Sequence, residues 1–138
     1  MKWLFIFCFF SFNAFSDNLK IEFTNLSSVK GDILYLLFSS SKGFPDKENK
    51  SFRQGKITAS QAAMNGLSLD GIPPGEYALS VFHDENSNAK MDTNFMGIPK
   101  EGFAFSKNPR VIFGPPSFEK TKFSIQNERL IKLKFVYF

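Results

Sequence analysis

From Leu19 onward the chain sets apolar against polar residues in short runs, and that rhythm predicts β structure nearly throughout. Leu19, Ile21 and Phe23 alternate with Lys20, Glu22 and Thr24, giving a first strand with one buried and one wet face. Ile33 to Phe38 is continuously apolar and fits a central strand buried on both sides. Ser39 to Gly55 is polar and rich in breakers, so it reads as a long connection anchored by Phe44 and Phe52. A weaker strand is expected over Lys56 to Ala63, and another from Gly66 with Leu67, Leu69 and Ile72 facing inward. Pro73-Pro74-Gly75 forces a turn, after which Tyr77, Leu79 and Val81 share one face of a core strand ending at His83. Phe103 and Phe105 mark a short strand. Gly114-Pro115-Pro116 makes a second corner, and Phe118, Phe123 and Ile125 lead into the last element. There Ile131, Leu133, Phe135 and Tyr137 alternate with Lys132, Lys134 and Val136.

No window carries a helical stripe longer than about three turns, and no repeat of solenoid period appears. The fold class expected is all-β: a single antiparallel β-sandwich of about seven strands. A barrel of the outer-membrane kind fits poorly. Counting back from Phe138 in twos gives Val136, Lys134 and Lys132, whereas a lipid-facing row must be apolar.

The first residues follow a different rule. Lys2, the apolar run Trp3 to Phe12 and the small residues Ala14 and Ser16 have the order of a secretory signal peptide, so residues 1–16 are expected to be removed and 17–138 to form one domain. The apolar run is too short for a transmembrane helix, which needs about 20 such residues. Cys8 would leave with the leader, and the mature domain would fold by its core without disulfides. The expected location is periplasmic or secreted. Without Lys2 the basic residues number 16 against 13 acids, a mild and scattered excess that does not mark a nucleic-acid partner. No membrane span is expected in the mature chain, and an envelope protein or a glycan is the partner class left.

The segment His83 to Ser106 holds the candidate chemistry. Asp84, Asn86, Asn88 and Asp92 fall at the first, third, fifth and ninth positions of an EF-hand-type loop, with the carbonyl of Lys90 at the seventh. Such spacing suits a hard cation, and calcium is the candidate cofactor. Ala89 stands where that loop has glycine and Phe95 where it has a bidentate glutamate, so Glu101, or Asp92 acting alone, would have to replace the last ligand. Two carboxylates within the loop imply weak affinity, in the class of about 0.1 to 1 mM. Hydrogen-bonded Asx turns offer the same residues a structure without metal.

His83 at a strand end reads first as a structural imidazole and second as the centre of a hydrolase with Asp84, Glu85 or Glu101. No H-E-x-x-H, G-x-S-x-G or phosphate-binding glycine loop occurs, and no catalytic residue is assigned. Phe95 and Phe103 are expected to pack in the core, with glycan or protein contact as their alternative role.

Pro74-Gly75-Glu76-Tyr77-Ala78, His83-Asp84-Glu85-Asn86 with Asn88, and Asp92-Thr93-Asn94 are followed by Gly97 to Gly102, Phe105-Ser106 and Gly114 to Phe118. As one string they resemble the bacterial secreted family called domain of unknown function 2141, over essentially the mature chain. The resemblance implies a sandwich of transthyretin-like or carboxypeptidase-regulatory-like type and no particular activity. It also implies that the 83–106 segment belongs to the family pattern. The expected function is therefore an exported, non-enzymatic β-sandwich with a weak calcium-binding or ligand-contacting loop; the alternatives are an envelope-binding accessory module and a hydrolase centred on His83.

Overall fold

The computed structural model describes residues 17–126 and 129–138; the expected leader, Met1 to Ser16, lies outside them. In chain order the described elements are β1 (Asp17–Thr24), β2 (Asp32–Phe38), β3 (Arg53–Thr58), α1 (Ala59–Asn65), β4 (Leu67–Ile72), β5 (Glu76–Asp84), β6 (Phe103–Phe105), α2 (Phe118–Thr121), β7 (Phe123–Ser124) and β8 (Leu130–Lys134). They form a three-stranded sheet, β4-β1-β8, and a five-stranded sheet, β3-β2-β5-β6 with β7 also beside β5.

One core lies between the sheets. Leu19 and Ile21 of β1, Leu67 and Leu69 of β4, and Ile131 and Leu133 of β8 meet Ile33, Tyr35 and Leu37 of β2 and Leu79 and Val81 of β5 in one buried cluster. The period-two alternation of those strands puts these residues on the facing sides. A second, smaller cluster sits on the other side of the five-stranded sheet, where Phe38, Ala78 and Phe118 are buried with Phe44 against them. Phe44 makes edge contacts with Phe38 at 5.3 Å and Phe118 at 6.1 Å, as expected of an anchor, whereas Phe52 is exposed and meets Tyr77 edge-on at 5.4 Å.

Three expectations are corrected. The strand expected over Lys56 to Ala63 stops at Thr58, whose hydroxyl accepts the Gln61 N–H at 3.1 Å and caps α1. The strands number eight among the described residues, with two short helices, and β1 pairs with β8 in parallel. The last strand is not one element either: β8 ends at Lys134, and Val136 bridges to Phe103, so the chain crosses from one sheet to the other about Phe135.

Ser106 ties β5 to α2. It is fully buried, donates its hydroxyl to the Thr121 carbonyl at 2.6 Å and accepts the Leu79 N–H at 2.9 Å. Ser106→Ala leaves both buried groups short of a partner and should cost about 1 to 3 kcal/mol of stability in a urea titration. A midpoint equal to the parent's would show that this link carries no weight.

Candidate functional site

The 83–106 loop closes on itself through its polar side chains. Asp84, nearly inaccessible at the end of β5, accepts the N–H groups of Asn88 at 3.2 Å and Ala89 at 2.7 Å. Asp92 accepts the side-chain amides of Asn86 at 2.7 Å and Asn88 at 3.0 Å. Glu101, far along the chain yet buried here, accepts the N–H of Glu85 at 2.8 Å and that of Asp92 at 3.2 Å. Asn88 also accepts the Lys90 N–H at 3.0 Å. The candidate ligands therefore share one loop, and the Glu101 carboxylate reaches it through the Glu85 and Asp92 N–H groups. Their oxygens mostly face N–H donors. Among the described residues no three acidic, histidine or cysteine side chains form a group that could hold a metal ion.

The acids differ in their protonation. Burial, followed by a hydrogen bond with the Asp92 carboxyl, pushes Glu101 up to about 6. The amides of Asn86 and Asn88, then Glu101 itself, hold Asp92 below the usual carboxylate range. Below about pH 6 the pair therefore carries its proton on Glu101 and its negative charge on Asp92.

His83 is wholly buried, with both ring nitrogens occupied. Nε2 lies 2.7 Å from the Lys30 carbonyl, which can only accept, so Nε2 carries hydrogen, while Nδ1 lies 2.9 Å from the Tyr137 hydroxyl and 3.7 Å from a Glu85 carboxylate oxygen. Tyr137 in turn accepts the Ser27 N–H at 3.1 Å. Two glycines permit this knot. Gly31 has a φ of +70° and a Cβ there would overlap the Asp84 carbonyl; a Cβ on Gly102 would enter the Tyr137 ring. The imidazole joins the β1–β2 connection, β5 and the C-terminal segment, a structural arrangement.

The same loop walls a groove on the outer face of the five-stranded sheet. Two cross-strand rows form its floor: Lys56, Leu34, Phe82 and Phe103, then Gln54, Leu36, Ser80 and Phe105. Each row starts polar at the β3 edge and ends on a phenylalanine of β6, with Ser80 set between the apolar residues of the second. Met91, Ile98 and Pro99 of the loop form one wall, Val111 and Ile112 another, and Phe138 lines the groove as well. Its volume is about 1000 Å³, at the upper end for small-molecule sites. Leu34, Leu36 and Phe82 are only half-buried on this floor. The run Ile33 to Phe38 carried the signal: its second apolar face, expected to be buried, is the groove floor.

Phe103 is buried as expected, but Phe95 is 99% exposed. Asn94 explains it. Its side-chain oxygen accepts the N–H groups of Met96 at 2.9 Å and Ile98 at 3.0 Å, and its carbonyl accepts Gly97 N–H at 2.9 Å, a tight turn that leaves Phe95 pointing away.

Fold and site together define a two-sheet, mostly antiparallel β protein with an apolar groove on the outer face of one sheet. The chain belongs to the family described as an uncharacterized protein conserved in bacteria, domain of unknown function 2141, whose model matches residues 21–132. No curated protein matches the chain, and no solved structure does.

The Glu101 proton sets a pH dependence. Because its folded value lies above the ordinary 4.5, the stability it contributes is complete below about pH 4.5 and is lost as pH rises through about 6. Glu101→Gln should flatten that decline, worth about 1 kcal/mol after allowance for solvent screening. Gln also forfeits one carboxylate acceptor, so the slope of stability against pH, measured by urea titration from pH 4 to 7, is the readout. Parallel slopes in parent and variant would dismiss the shared proton.

Proposed function

We propose that the protein is an exported, non-enzymatic binding protein: a β-sandwich of transthyretin-like or carboxypeptidase-regulatory-like type, periplasmic or secreted. Its groove takes an apolar chain or ring system that ends in a polar group. The half-covered floor of Leu34, Leu36 and Phe82 carries this reading. Fully burying one such side chain is worth about 1.5 to 3 kcal/mol, so an apolar floor left open forfeits stability that a ligand restores. Lys56 and Gln54 lie at the β3 end of the rows, where the ligand's polar end would sit. The 83–106 loop is ligand-contacting through Met91 and Ile98, while its acids shape it from within. The leader-like residues 1–16 support export. A hydrolase centred on His83 draws less support, since both nitrogens of the buried ring are engaged.

Ser80 faces the groove between Leu36 and Phe105. Ser80→Phe would fill the floor without removing a core contact and displace two or three methylenes of a bound chain. Binding of a fluorescent fatty acid should weaken by about 2 kcal/mol, roughly 30-fold in Kd. Equal affinity in parent and variant would take the ligand out of the groove.

Calcium remains a second reading, favoured by the proton shared between Asp92 and Glu101, which a cation could replace. At about ten times a millimolar-class Kd, calcium should add about 1.4 kcal/mol. That gain, seen as a higher Tm in calcium than in chelator, should vanish in Asp84→Ala with Asp92→Ala. Identical melting of parent and variant in both media would reject a cation site.

A further inference from the structure

Two turns beside the groove present large apolar side chains to water. Thr93 bridges Pro99 to make a small hairpin whose tip carries Phe95, 99% exposed, and Met96. On the segment between β6 and α2, Phe113 is 96% exposed and Ile112 is exposed beside it. Gly97 and Ile98 of the first turn and Ile112 and Gly114 of the second line the same groove, so both tips stand at its rim. The first tip is ordered: the Asn94 hydrogen bonds hold the turn while its aromatic ring touches nothing. Apolar tips of this kind mark a surface that meets a partner.

Charge selects the partner. Between residues 86 and 116 the acids are Asp92, half-buried and held by the Asn86 and Asn88 amides, and Glu101, buried. The bases Lys90, Lys100, Lys107 and Arg110 are all exposed. Exposed charge on these two loops is therefore mostly positive; the exposed acid Glu85 lies at the β5 end of the first loop, where its carboxylate accepts the Ser27 hydroxyl at 2.6 Å. Lysine is depleted at the centres of protein–protein interfaces, but beside apolar anchors it is attracted to anionic lipid. Asp46 and Glu48 line the groove on the side of the β2–β3 connection.

We propose that the 86–116 face docks on a bilayer containing anionic phospholipid, inserting Phe95 and Phe113 while the flanking Lys and Arg contact headgroups. Docking needs only the rim, so it stands or falls apart from the groove reading. The chain from Asp17, which contains every described strand of both sheets, should sediment with vesicles of phosphatidylcholine and phosphatidylglycerol, and weakly with phosphatidylcholine alone. Phe95→Ser with Phe113→Ser should lower the partition coefficient about tenfold or more with an unchanged circular dichroism spectrum. Lys90→Gln with Lys100→Gln should lower it about fivefold per charge removed at low salt. Ser80→Phe should leave vesicle binding intact while weakening fatty-acid binding, which separates the two sites. Absence of sedimentation by the parent on anionic vesicles, or equal sedimentation by the double phenylalanine variant, would overturn docking. Capture of a protein or glycan through Phe95 by a chain that ignores vesicles would do the same.

Discussion

The five-stranded sheet has two apolar faces and only one sheet to cover them, and the rest of the molecule follows from that imbalance. β2 brings Ile33, Tyr35 and Leu37 to the shared core and Leu34, Leu36 and Phe38 to the far side. The three-stranded sheet buries the first set. The second is met by Phe44, α2 and the loops alone, which cover Phe38 fully but leave Leu34 and Leu36 half-open. Hydrophobic burial at about 25 cal/mol per Å² favours closing that face. The loops instead hold their places around it, because their own hydrogen bonds fix them.

Those bonds explain how polar segments can wall an apolar space. Asp84, Asp92 and Glu101 take up backbone N–H groups and side-chain amides that would otherwise need water. His83, Tyr137 and the Lys30 carbonyl do the same at the back of the loop, where β1, β5 and the C-terminal segment converge. With its polar groups satisfied internally, the loop can turn Met91, Ile98 and Pro99 toward the groove.

Much of this was legible in the alternation of single strands. Leu19 and Ile21, Leu67 and Leu69, and Tyr77, Leu79 and Val81 all face the core they were assigned to. Pairing was not legible, because the partner of β8 depends on where the chain returns after Ser124, and nothing in Ile131 to Tyr137 says that it lies parallel to β1. α1 was missed because seven residues are too few to show a helical stripe, although the Thr58 cap and Gly66 stop bound it. In the site, the Asp84 to Asp92 spacing located the loop, with Glu101 named as one of two candidate replacements for its missing last acid. What the spacing could not show is that the oxygens meet N–H groups, since Asx turns and cation loops draw on the same residues. The groove was missed for a related reason: a doubly apolar strand reads as doubly buried, and only the placement of distant loops leaves one face open.

The inward turn of the acids has a second effect, on charge. Asp92 and Glu101 turn oxygens toward the loop's own donors, and because burial pushes Glu101 up to about 6, one of the two charges is largely neutralised below that pH. The cations of the same loops, Lys90, Lys100, Lys107 and Arg110, are exposed. Segregation of this kind needs no excess of base over acid in the whole chain, which is only mildly basic. It makes a positive, apolar-tipped face out of a nearly balanced composition. That is why the overall net charge carries no sign of the face, and why the hydrogen bonds that close the loop also decide which surface it turns outward.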